Sequence, residues 1–139
     1  LAQVRPVGAD TTIINDLPNE DGVPNHAPDG TTVDNHDMLT GSSATGTLYK
    51  NDLSVTCQDW TSAVGSAGKP RVGHSWPRMG GGGGGRGEGG GMNNWMSALD
   101  EAGCAPGVSL IEMGPPNPND PTVGSGGGYG GFYCFSLVP

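Results

Sequence analysis

The sequence predicts a loop-rich α+β domain of short antiparallel strands with one short helix, stapled by disulfide chemistry. Three observations carry that prediction. Apolar residues make up only 33% of the 139-residue chain, while Gly (27) and Pro (12) are abundant, so turns take the place of part of a hydrophobic core. Only 14% of residues are charged, which separates the chain from disordered sequences rich in charge. Three cysteines, Cys57, Cys104 and Cys134, sit in a chain that otherwise reads as secreted, an oxidising context in which small domains use disulfides. The length suits a single domain, taken as residues 1–139, with a modest core.

The elements follow in order. Residues 1–47 hold half of the carboxylates, Asp10, Asp16, Glu20, Asp21, Asp29, Asp34 and Asp37. Asp-Gly and Pro punctuation there predicts irregular loops around short extended runs such as Thr11–Ile14 and Thr31–Val33. Leu53–Trp60 alternates around Val55, Cys57 and Asp59 and predicts a strand running into a turn. Gly80–Gly91, interrupted only by Arg86 and Glu88, has almost no side chains to bury and predicts a flexible surface insertion. Asn93 is placed to cap a helix through Ala102, with Trp95, Met96, Leu99 and Ala102 on one face and Gly103 as its stop. Val108–Met113 predicts a buried strand, and Phe132–Phe135 a final strand behind the Gly126–Gly131 turn region.

Charge narrows the partners. Six Lys and Arg against fourteen Asp and Glu give a net charge of −8, and an acidic surface repels phosphate backbones, so nucleic acid is excluded. No stretch approaches the roughly 20 apolar residues that span a bilayer. The chain opens on Leu1 without a signal sequence, which suits a mature or clipped secreted product. An odd cysteine count in such a chain leaves one thiol free or bonded outside it.

Three segments together resemble a known family. Leu39-Thr40-Gly41-Ser42 precedes Cys57-Gln58-Asp59-Trp60-Thr61-Ser62, and the chain closes on Gly131-Phe132-Tyr133-Cys134-Phe135. This pattern resembles the C-terminal part of the endostatin-like, collagen non-collagenous domain family in its secreted bacterial form, across residues 29–62 and 101–136. The resemblance implies a C-type-lectin-like fold with two nested bridges. Carried over, it pairs Cys57 with Cys104 and leaves Cys134 bonded to a cysteine in an N-terminal segment that this chain lacks. The chain departs from the family in the long Pro115–Tyr129 spacing and in the Gly80–Gly91 insertion.

Several residues invite chemical readings. Gly73-His74-Ser75-Trp76-Pro77 resembles a hydrolase nucleophile elbow, but Pro77 stands where the second glycine belongs and a glycine run follows where a helix should start. Asn19 and Asp21 mimic part of a calcium loop, although Leu17 occupies the first ligand position. Asn117, Asn119 and Asp120 resemble part of the calcium-and-sugar motif of C-type lectins, without its first carboxylate. Ca²⁺ is therefore the one cofactor these fragments suggest. His26, His36 and His74 lack the short spacing of a zinc site and read as polar loop histidines. Trp60 and Trp95 are expected in the core, and Trp76 and Tyr129 on loops as sugar-stacking faces. The expectation is a secreted, non-catalytic recognition or adhesion module presenting loops 63–92 and 114–130 to a glycan, a matrix polymer or a protein. The alternatives are a subunit of an extracellular fibre or surface assembly and, remotely, a hydrolase using Ser75.

Overall fold

A computed structural model describes residues 35–75, 94–109, 116–125 and 128–138. Its centre is a three-stranded antiparallel sheet in the order β1 (Asp37–Leu39), β2 (Arg71–His74), β3 (Leu99–Asp100). The register sets Asp37 opposite His74 and Leu39 opposite Val72, and on the other side Arg71 opposite Asp100 and Val72 opposite Leu99. Side chains alternate across a strand, so Asp37 and His74 share one face. Arg71 and Asp100 share the other, where their side chains meet at 3.0 Å.

β2 is buried along its whole length. Gly73 is required there, because a Cβ at that position would overlap the Trp95 backbone carbonyl. Arg71 is 1% exposed; its Nε donates to Ser97 Oγ at 2.9 Å, and its guanidinium lies 4.4 Å from the centre of the Tyr49 ring. A charge so deeply placed is stable only when paired and stacked in this way. The free edge of β1 receives the C-terminal segment: Leu39 N donates to Gly131 O at 2.7 Å, and Met38 and Gly131 form a parallel bridge. That segment is pinned further by Tyr133, whose hydroxyl donates to Trp95 O at 3.0 Å and whose ring meets Trp95 edge-on at 5.4 Å.

Between β1 and β2 the chain departs from the predicted strand. Leu53–Thr56 is a 3-10 helix, started by Asp52, whose carboxylate accepts from Ser54 N at 2.9 Å. It runs directly into a single helical turn, α1 (Cys57–Trp60). All of its residues are left-handed, with φ of 49°, 59°, 55° and 61°, a region that non-glycine residues rarely enter. Thr56 Oγ1 accepts from Asp59 N at 3.2 Å and Gln58 Nε2 donates to Ala67 O at 3.1 Å, and the disulfide Cys57–Cys104 anchors the start of the turn.

Two further differences concern the second half. The helix predicted over 93–102 is absent among its described residues: Leu99–Asp100 is strand β3, and Asn94 folds its side-chain oxygen back onto Met96 N and Ser97 N, both at 2.8 Å. Asn is a good cap, but here it closes a local turn and the following chain extends onto β2. Phe132–Phe135 lies against the sheet without becoming a strand, only Gly131 bridging to Met38. Val108 is exposed rather than buried, and Ser109 bridges Gly128; the rest of the predicted Val108–Met113 strand, the 80–91 insertion and nearly all of the acidic section 1–47 up to residue 34 lie outside the described residues. The disulfide implied by the resemblance, Cys57–Cys104, is present and packs with Val123, Leu39 and Ala67 as the small apolar core. No helix among the described residues is long and apolar enough to cross a membrane.

Candidate functional site

Two features stand out once the sheet is in place: a buried polar cluster beneath it and an aromatic cleft over the disulfide.

The cluster is built by strand register. Pairing Asp37 with His74 brings their side chains to 3.2 Å, His74 Nε2 to Asp37 Oδ1. His36 precedes β1 and is tied to β2 by its carbonyl, which accepts from Ser75 N at 2.8 Å; its Nε2 lies 3.7 Å from the same Asp37 oxygen. The two imidazole rings meet edge-on with centres 4.6 Å apart. Exposure of His36, Asp37 and His74 is 2%, 4% and 0%. Glu101, immediately after β3 and also buried, completes the group: its Oε2 accepts from Ser125 Oγ at 2.9 Å, and its carboxyl hydrogen-bonds Asp37.

The two carboxyls titrate in opposite directions. Burial and the neighbouring Asp37 charge push Glu101 up to about 9, so at neutral pH it is protonated and serves as a donor. Burial alone would raise Asp37, but the charge of His36, the hydrogen bond and charge of His74 and the Glu101 hydrogen bond together hold it below its ordinary value. One ionised and one neutral carboxyl is the arrangement that lets two acids share a dry site. His36, Asp37 and His74 each turn one ligand-type atom into this space, all within 4.8 Å of one another, and they form the one such group of His, Cys, Asp or Glu among the described residues. The polar-loop reading of His36 and His74 is corrected here. Both are interior residues, because strand pairing carries them inside.

The cleft has a volume of about 270 Å³. Trp60, Tyr129, Phe132, Pro106 and the Cys57–Cys104 bridge line it, with Trp60 and Phe132 packed edge-on at 5.5 Å. Trp60, expected in the core, is 38% exposed because the left-handed turn swings it outward, and Tyr129 and Phe132 are 47% and 58% exposed. A larger hollow of about 450 Å³ is lined by Lys50, Asp52, Lys69 and Asp100. It mixes charges of both signs and has no aromatic wall, so the smaller cleft is the better built of the two for recognition.

The remaining predicted residues are dispersed. Asn117, Asn119 and Asp120 lie in a turn, the first two exposed and Asp120 half-buried, in which Asn117 Oδ1 accepts from Asn119 N at 3.0 Å. Ser75 is 4% exposed, whereas a nucleophile elbow must present its hydroxyl. Trp76, Asn19, Asp21 and His26 lie outside the described residues. Cys134 is an exposed free cysteine. No protein-family model, curated protein or solved structure matches the chain.

Proposed function

We propose that the chain is a secreted, non-catalytic recognition module of C-type-lectin-like, endostatin-like type that binds a glycan through the aromatic cleft. The observation that supports this reading most directly is the exposure of Trp60, Tyr129 and Phe132 around one concavity. Flat rings held on a rigid base stack against the apolar faces of sugar rings and lose little entropy in doing so. The base is rigid here because the disulfide forms the floor of the cleft. A glycan array probed with the intact chain is expected to give defined hits that Trp60→Ala and Phe132→Ala abolish while the native circular dichroism is kept. An array without hits, or hits indifferent to both substitutions, would reject the cleft as a glycan site.

A second reading, a subunit of an extracellular assembly, draws on the apolar C-terminal segment. Phe132, Phe135, Leu137 and Val138 are 58%, 52%, 98% and 74% exposed, and Cys134 lies exposed among them. Contiguous exposed apolar side chains of this kind mark surfaces covered by protein. Light scattering during size exclusion separates the readings: a concentration-dependent oligomer that Leu137→Asp dissolves favours assembly, and a monomer at all concentrations favours the module.

A further inference from the structure

We propose that His36, Asp37 and His74 bind a divalent transition-metal ion of the zinc type inside the fold, bridging β1 to β2. The inference is independent of what the cleft recognises.

Geometry supplies the first argument. Asp37 Oδ1 stands 3.2 Å from His74 Nε2 and 3.7 Å from His36 Nε2, and all three ligand-type atoms fall within 4.8 Å. A tetrahedral zinc ion with bonds of about 2.0–2.1 Å holds its ligand atoms about 3.3 Å apart, so a closure of up to about 1.5 Å between ligand atoms, shared among the side chains, brings the set around an ion. Strand register fixes Asp37 opposite His74 and the Ser75 N to His36 O bond ties His36 to the same place, so the ligands converge without the ion having to gather them.

The second argument is polar accounting. Asp37 has 6% of its side chain exposed, and its Oδ1 faces both imidazoles, 3.2 Å from His74 Nε2 and 3.7 Å from His36 Nε2. A buried carboxylate is costly unless its charge is paired, and a cation held between it and two imidazoles is one group that pairs it. Glu101 hydrogen-bonds Asp37 and is placed to orient it, as outer-shell carboxyls do for ligating ones.

Donor chemistry then selects the ion. Two imidazole nitrogens and one carboxylate oxygen suit zinc and its first-row neighbours, whereas Ca²⁺ and Mg²⁺ call for sets made of oxygen. The rival account is a metal-free cluster in which Asp37 is held by the imidazoles alone.

The test uses the full oxidised chain, stripped with chelator and then titrated with Co²⁺ and Zn²⁺. The expected results are visible absorption bands of tetrahedral cobalt, about one equivalent of tightly held zinc in competition with a chromophoric chelator, and a rise in Tm with Zn²⁺ but not with Ca²⁺. Nitrogen NMR of histidine-labelled protein should show two of the three imidazoles shifting together. His74→Gln and His36→Asn should lose the cobalt spectrum, His26→Gln should keep it, and Glu101→Gln should weaken zinc about 10–100-fold. Because the cobalt and NMR readouts are made on the unaltered chain, a variant that fails to fold does not shelter the proposal. A stripped native chain giving no cobalt bands and no shift in Tm, a Ca²⁺ response equal to that of Zn²⁺, or a spectrum unchanged in both histidine variants would each overturn it.

Discussion

Glu101 and Asp37 show how one buried contact makes two acids behave differently, and the consequence is measurable in metal-free protein. Glu101 is raised from an ordinary 4.5 to about 9 by burial and by the Asp37 charge. A raised folded value means that the native state holds a proton the unfolded chain has released. The stability this confers is fully present below 4.5 and is lost as pH rises through about 9. Asp37 runs the other way: held below 3.8, it contributes stability above that value, lost as pH falls through its folded pKa. Urea denaturation in chelator should therefore show the wild type losing stability from pH 4.5 to about 9, with a shallower decline in Glu101→Gln, whose amide keeps a donor toward Asp37 and cannot ionise. Equal slopes in the two proteins would refute the assignment of that limb to Glu101. At Gly73 the constraint is space alone. A methyl group there meets the Trp95 carbonyl, and because both sides are backbone in a buried strand, Gly73→Ala should cost about 3 kcal/mol, at the upper end for overpacking. A change below 1 kcal/mol in the same assay would show that β2 and the Trp95 segment separate easily.

At the scale of elements, the left-handed turn α1 is where local preference and tertiary structure disagree most. Alternation over Leu53–Trp60 reads as a strand, and nothing in the identity of Cys57, Gln58 or Trp60 announces positive φ; Asp59 alone is of a type that enters that region at times. The conformation is held by the Thr56–Asp59 and Gln58–Ala67 hydrogen bonds and by the bridge to Cys104, information that lies far along the chain. The predicted 93–102 helix fails for a related reason. Its apolar spacing was real, but pairing with β2 through Ala98 N to Val72 O at 2.7 Å and Glu101 N to Pro70 O at 2.9 Å satisfies the same backbone better in an extended form. Short segments are decided by such contacts rather than by propensity. The strain in α1 is open to relief. Asp59 is exposed, with φ of 55°; Asp59→Gly removes a left-handed cost of about 1–2 kcal/mol against an unfolded-state entropy loss of about 0.4–1 kcal/mol. Thermal denaturation should accordingly show a small stabilisation, with Trp60 fluorescence unchanged. A lowered midpoint would mean that the turn is held by the Asp59 side chain instead of being strained by its backbone.

For the whole molecule, composition gives a small α+β domain with antiparallel strands, and the family resemblance implies the Cys57–Cys104 bridge. The polar cluster could not be read, because His36 and His74 are separated by a long stretch of chain and become neighbours only through the pairing of β1 with β2. The one sequence signal available is a histidine two positions from an apolar residue in each strand, His36 before Met38 and His74 after Val72. The cleft is half legible: Tyr129 reads as a surface residue, while Trp60 reads as a core residue and is 38% exposed. A small apolar core gives the disulfide unusual weight. Among the described residues the buried apolar side chains are few, Met38, Val55, Val72, Ala98 and Val123 beside the two bridged cysteines, and the bridge closes a loop spanning a sequence separation of 47, worth about 4 kcal/mol by the chain-entropy model. Much of the net stability of a small domain is of that size. Alkylation of the native, unreduced chain should therefore label Cys134 alone. Cys134→Ser should leave the urea midpoint where it is, whereas the double replacement Cys57→Ala with Cys104→Ala should lower stability by about 4 kcal/mol and open the cleft, seen as a red shift and quenching of Trp60 emission. If all three cysteines react in the native chain, or the double replacement leaves the midpoint in place, the cleft does not owe its floor to the disulfide, and its ring geometry must be held by the β1–Gly131 pairing instead.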